Sequence, residues 1–207
     1  MKFKGSQLIQ DWSQDKALKE VGVKHGMCIV FAFYFGALRM RSMNLEFAMG
    51  EILKLDSNRK PLLDIFKKIY DDYSHLSGNY CDEIDFIARQ FVVNQIVPEI
   101  DFTVNDYDNF NIEHQSFYPN GLHAQVAEDI QNHYLGALHS SGYLMIGMTM
   151  KGEKKHATTL IYTPDDKYYF FDPNLGLYQL LNLNDFFNEY GKLSQIIEWD
   201  LVMVKAK

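Results

Sequence analysis

Residues 153–176 read EKKHATTLIYTPDDKYYFFDPNLG: two runs rich in β-forming residues on either side of a Pro-Asp-Asp turn. If Tyr162 pairs with Lys167 or Tyr168 around that turn, His156 falls opposite Asp172 to within one or two residues. Opposed residues on one face of a hairpin have Cβ atoms roughly 4.5–5.5 Å apart, close enough for an imidazole to meet a carboxylate. Such a carboxylate fixes the tautomer of the ring and stabilises its protonated form. Two polar residues on neighbouring strands also occur without any chemistry. In favour of a site, no other histidine lies between Lys155 and Pro173, and Asp172 stands at a strand exit into the tight turn PNLG.

The texture around the hairpin extends the same reading. "YLMIGMTM", "LYQLL" and "IIEWDLVMVK" are further short β-like runs, with a short helix "DFFNEY" between the last two, capped by Asn184 and closed by Gly191. Upstream, over about residues 28–138, the apolar spacing is helical. "IVFAFYFGALRMRSM" is apolar nearly all round, as in a helix buried on every side. "NLEFAMGEILKL", "PLLDIFKKIYDDY", "EIDFIARQFVV" and "GLHAQVAEDIQNHYLGAL" read as four more helices, the second with Pro61 in its first turn. Helices first and an antiparallel sheet after about residue 140 make an α+β fold, expected as a single domain over 1–207.

The chain has 207 residues, 47% of them hydrophobic and 14% aromatic, enough for one well-buried core. A net charge of −7 with interspersed signs argues against nucleic acid or an anionic membrane as partner. Two cysteines, Cys28 and Cys81, favour a reducing compartment. The first residues, MKFKGSQLIQDW, lack the apolar core of a cleavable signal peptide, and the longest apolar run is too short to span a bilayer. The expectation is a soluble protein.

A histidine held by an aspartate needs a nucleophile to perform acyl transfer. Cys28 follows Gly22 and Gly26 and opens the buried helix, where free backbone N–H groups and the positive end of the helix favour a thiolate. Lys24 and His25 add positive charge nearby, and the same N–H groups suit an oxyanion. An inert buried cysteine fits the apolar surroundings equally well. Cys81, followed by Asp82 and Glu83, sits in the wrong field for a nucleophile and reads as structural.

Cys, then a distant His, then a nearby Asp is an order that resembles papain-like cysteine proteases, and most of all the YopT/AvrPphB family of bacterial effector proteases. The motifs that carry the likeness are Gly-x-Cys (Gly26, Cys28), the "KHA" around His156, and "FFDPNLGLY" around Asp172, with a His–Asp interval of sixteen. The resemblance implies a papain-like fold, Cys28 as nucleophile, His156 as general base and acid, and Asp172 as the group orienting His156. It implies no metal or cofactor, a protein substrate in a eukaryotic host, and delivery from a bacterium into the host cell. One departure stands out: Gly22, Val23 and Lys24 occupy the stretch where papain-like enzymes place a Gln or Asn as side-chain oxyanion donor. Gln7, Gln10 and Gln14 lie farther upstream and reach the site only if the chain folds back.

Two other readings share these residues. The same triad can pass its acyl group to an amine or attack a glutamine amide, giving a transglutaminase or deamidase. A degenerate papain-like fold can also serve as a non-catalytic binding module. His75, His114, His123, His133 and His139 are scattered without zinc-type spacing. The acidic stretch "DFTVNDYDNFNIEH" (101–114) lacks the ligand order of a calcium loop and reads as a solvated, partly irregular loop, a candidate for the rim of a substrate groove. Its aromatics and those just after it, Phe102, Tyr107, Phe110, Phe117 and Tyr118, suit peptide contact or packing. "LMIGMTM" reads as core. Nothing in the sequence sets the oligomeric state.

Overall fold

The structure, a computed structural model, describes all residues except 1, 24–25, 43, 57–58, 76–77, 114–117 and 140–141, and the side chains of 56 and 106. The expectations resting on Lys24, His25, His114 and Phe117 therefore lie outside the described residues.

The apolar run from residue 28 forms α2 (Cys28–Ser42), in which every residue from Cys28 to Met40 is buried. A helix apolar all round has to be covered on every side. Three amphipathic helices do part of this: α3 (Leu45–Leu53), capped by the Asn44 side chain, α4 (Lys60–Tyr73), with Pro in its first turn, and α5 (Tyr80–Val93), which opens with a capping box between Asn79 and Asp82. A seven-stranded antiparallel sheet covers the remaining side. Its strands are β1 (Ser6–Gln10), β2 (Phe102–Asn111), β3 (Tyr143–Met150), β4 (Lys154–Thr163), β5 (Lys167–Asp172), β6 (Gly176–Leu180) and β7 (Ile196–Ala206), in the order β1-β6-β5-β4-β3-β7-β2.

Alternation along the strands divides the core in two. Tyr143, Met145, Ala157 and Phe171 face α2 with Phe31, Phe33 and Phe35. Leu144, Ile146, Leu160 and Phe170 face the opposite way, onto α6 (Leu122–Asp129), its π-helical continuation, and α8 (Leu183–Leu193). Helices on both faces explain why β3 and β4 read as near-continuous apolar runs. A hydrogen bond inside the first core, from Thr159 Oγ1 on β4 to the Ala32 carbonyl of α2 at 2.5 Å, ties the sheet to the helix.

Several sequence expectations need correction. The sheet is not confined to the stretch after residue 140, because its two edge strands come from earlier in the chain: β1 zips onto β6 and β2 onto β7. The acidic stretch 101–114 is mostly the strand β2 rather than an irregular loop. Its Asn and Asp residues suit an edge, where charge discourages pairing with other chains. A short helix α1 (Asp15–Glu20) was not foreseen. The N-cap of α8 is Asn182, whose side chain accepts from Asp185 N, and the helix runs through Gly191 to Leu193. Gly191 serves packing instead of termination: a Cβ there would lie 2.5 Å from His123 Nδ1.

Gly36 in α2 lets the Tyr143 ring lie on the helix, and a Cβ there would fall 2.4 Å from that ring. Gly50, in α3, has nothing within 4 Å of the same position. Gly36→Ala is expected to destabilise by about 1–3 kcal/mol through overpacking. Gly50→Ala is expected to stabilise by up to about 1 kcal/mol through helix propensity. Denaturant midpoints at unchanged slope read both signs, and equal effects would contradict this packing.

Candidate active site

The hairpin register is Tyr162↔Tyr168, running to Thr159↔Phe171. Continued by one step it sets Thr158 opposite Asp172, so His156 and Asp172 share a face as a diagonal pair two residues apart. Both side chains reach beyond the last ladder bond and meet: His156 Nε2 lies 2.8 Å from Asp172 Oδ1.

The Asp172 carboxylate is only 1% exposed, so its charge requires donors. Three converge on it. Besides His156, the Asn174 backbone N–H donates to Oδ1 at 2.7 Å, and the Tyr190 hydroxyl donates to Oδ2 at 2.6 Å from α8 on the far side of the sheet. Burial alone would raise this carboxyl. The His156 charge and the hydrogen bonds of His156, Tyr190 and Asn174 outweigh it and hold Asp172 below the usual carboxylate range. His156 shows the converse. Burial pushes it down, but the Asp172 charge and hydrogen bond, with a further contribution from Cys28, raise it well above the ordinary imidazole value.

Asp172 leaves its strand into a turn closed by Leu175 N donating to Asp172 O at 3.1 Å. Gly176 ends that turn with φ +104°, and a Cβ there would lie 2.1 Å from the Gln10 carbonyl of β1. The chain does fold back here. Gln14 N donates to the Pro173 carbonyl at 2.7 Å, and Gln14 Nε2 donates to Asn174 Oδ1 at 2.6 Å. This buried glutamine thus braces the Asp-Pro-Asn turn, and it does not line the cleft that holds Cys28.

Cys28 heads α2, with no acidic residue in the first turn to oppose a thiolate. Cys28 and His156 line the same cleft, and the sulfur adds to the upward push on the His156 ring. Asp172 engages Nε2, which leaves the other ring nitrogen of His156 without a bond to the carboxylate. Cys28 and His156 open onto a cleft of about 540 Å³ between the α4–α5 helices and the sheet. Tyr70 and Tyr73 of α4 and Tyr80 of α5 line it, and each hydroxyl is pushed up by burial first and then by the charge of Cys28. Tyr107 and Asn109 of β2 reach the same cleft. Phe110, by contrast, is buried core. Cys81 lies on α5 and does not line the cleft, and its thiol is raised by burial, Asp82 and Asp85.

Sequence reasoning missed Tyr190, Asn174 and the three cleft tyrosines, and it named Gln14 only as a candidate oxyanion donor. Each is defined by contact across elements, and only the Asn in "DPN" lay inside a motif. Among the described residues no three His, Cys, Asp or Glu gather as a metal site, and no helix is long and apolar enough to cross a membrane.

No family model matches the sequence, and no curated protein matches it significantly. Solved structures do. The chain is similar to the Pseudomonas avirulence protein AvrPphB, with a TM-score of 0.54, 14% identity and coverage of 94% of this chain and 96% of that one. It is also similar to PatoxP, a cysteine protease-like domain of the Photorhabdus asymbiotica toxin PaTox, with a TM-score of 0.51 and 11% identity. That match spans 95% of this chain and 54% of the other. The fold is therefore a papain-like α+β fold of the YopT/AvrPphB type, with a buried central helix packed on an antiparallel sheet.

Proposed function

We propose that the protein is a cysteine protease with Cys28 as nucleophile, His156 as general base and acid, and Asp172 as the orienting carboxylate. The supporting observation is that Cys28, at the head of α2, lines the same cleft as His156, whose ring is held by the buried Asp172 carboxylate at 2.8 Å. The Cys28 thiolate attacks a peptide carbonyl carbon, and the oxyanion forms beside the free N–H groups at the start of α2. When the tetrahedral intermediate collapses, the C–N bond breaks and His156 gives its proton to the leaving amine. Water, deprotonated by His156, then hydrolyses the thioester and restores the thiol. The substrate is a protein. By analogy with an avirulence protein and a toxin domain of the same fold, the setting is delivery from a bacterium into a host cell and cleavage of a host protein there.

Cys28→Ala and His156→Ala are each expected to lower turnover by about 10⁴-fold or more. Cys28→Ala should also abolish labelling by an electrophilic thiol probe, with the circular dichroism spectrum unchanged. Persistent labelling would remove Cys28 from its role, and a wild-type thiol that never labels would instead favour a non-catalytic binding module. Mass spectrometry of a treated substrate separates hydrolysis of the backbone from the one-dalton gain of deamidation or a crosslink.

The pH dependence carries a sign. The reactive form pairs a thiolate with protonated His156, so activity falls at alkaline pH as His156 loses its proton. Asp172 raises that pKa; Asp172→Asn should therefore move the alkaline limb of kcat/KM to lower pH and cut the rate by about 10²–10⁴-fold. Tyr190→Phe leaves Asp172 intact but removes one of its donors. A stability loss of about 1–3 kcal/mol is expected, with the alkaline limb moved in the opposite direction, because a carboxylate with fewer donors binds the imidazolium more strongly. A limb that stays in place in both variants would separate Asp172 from the titration of His156.

A further inference from the structure

The cleft beside Cys28 carries more negative charge than its chemistry requires. Glu83 of α5 and Glu198 and Asp200 of β7 line it, against the single ammonium of Lys155 from β4. Asp200 accepts from Tyr107 Oη at 2.7 Å and Asn109 Nδ2 at 2.8 Å, and Glu198 from Thr149 Oγ1 and Asn109 Nδ2, both at 3.0 Å, and from Asn111 Nδ2 at 3.3 Å. These bonds hold the carboxylates in place without neutralising them, and no cation among the described residues lies within ion-pair distance of any of the three. Glu83 takes no hydrogen bond from a described residue. Burial is the first cause that raises Glu83 and Asp200; the Asp200 charge adds to the rise at Glu83 and the Glu198 charge to that at Asp200, while Lys155 opposes it at both.

A second, independent feature marks the same place. The Tyr80 hydroxyl, on the cleft wall, is buried without a hydrogen-bond partner. Its ring packs on Gly147 of β3, where a Cβ would come within 2.9 Å, so it is held from behind. Tyr80 lines the same cleft as Cys28, Asp200 and Glu83, and its hydroxyl feels the charges of all three. A buried polar atom left unpaired costs about 1–3 kcal/mol and calls for a ligand that satisfies it.

We infer that this part of the cleft is a specificity subsite for a cationic side chain of the substrate, arginine above lysine, seated between Glu83, Asp200 and the Tyr80 hydroxyl. The inference rests on the protease reading of Cys28 and names the substrate class for that site. Glu83, Asp200 and the Tyr80 hydroxyl can all accept a hydrogen bond. The complement is thus a positive group with several N–H donors in a fixed array, which is a guanidinium; an ammonium brings the charge with fewer directed donors. An acidic side chain there meets two carboxylates and is rejected.

The test exposes the full-length protein to a mixed peptide library and reads the cleaved bonds by mass spectrometry. At one fixed position relative to the cut, arginine and then lysine should exceed glutamine by about tenfold, with aspartate and glutamate depleted. Glu83→Gln and Asp200→Asn should each reduce that ratio, and Glu83→Lys should invert it towards acidic side chains. Cleavage with no cationic preference at any position, or a preference untouched by all three substitutions, overturns the inference while leaving the protease reading intact. If no peptide is cut, binding decides the matter. Cys28→Ala protein, titrated with a fluorescein-labelled arginine pentapeptide and its glutamine counterpart, should hold the arginine form about tenfold more tightly, with the difference lost in the Cys28→Ala, Glu83→Lys double variant. Equal affinities overturn the subsite.

Discussion

A helix with no polar face imposes a demand on everything around it. From Cys28 to Met40 each residue of α2 is withdrawn from water, so the chain must supply a cover in every direction. The sheet covers one side, and α3, α4 and α5 supply much of the rest. Such a helix meets the cleft only at its end, and the end that does so is the N-terminus, where backbone N–H groups are unpaired. The position of Cys28 is thus a by-product of the packing: the residue that opens a fully buried helix stands at the cleft.

The other half of the site comes from the sheet, and the two halves are joined inside the core. Thr159 of β4 hydrogen-bonds the Ala32 carbonyl of α2 one turn below Cys28, and His156 lies three residues before Thr159 on the same strand. Asp172 is then fixed from three directions: by its own turn through Asn174, by His156, and through Tyr190 by a helix on the opposite face of the sheet. Removing water from this carboxylate makes each donor matter more, because the low dielectric strengthens a satisfied network and penalises an incomplete one.

The braces around the site are recruited from distant parts of the chain. Gln14 shows how far this goes. An upstream glutamine suggests an oxyanion donor when only chain order is considered. In the fold it lies behind the Asp-Pro-Asn turn, bound to Pro173 and Asn174, and stabilises the loop that presents Asp172. The acidic wall of the cleft is assembled in the same manner, since Glu83 comes from α5 while Glu198 and Asp200 come from the last strand.

What the sequence determined by itself was whatever depends on near neighbours. The all-apolar period of α2, the turn between Tyr162 and Lys167, the sixteen-residue step from His156 to Asp172 and the Asp-Pro-Asn exit are local, and local sterics and alternation suffice to read them. Strand β2 was illegible for a physical reason. An edge strand buries little, so its Asn- and Asp-rich stretch carries no apolar alternation, and only pairing with β7 makes it a strand. The cap of α8 depended on which of two nearby asparagines had extended backbone, and that was settled by the hydrogen bonds from Leu181 and Asn182 N–H to the Gly5 carbonyl. Tertiary structure alone decided that Tyr190 holds Asp172, that Gln14 braces the turn, and that Tyr80 shares a cleft with Glu83, Glu198 and Asp200. Each of these is a contact between segments far apart in the chain, and such contacts leave no periodicity behind.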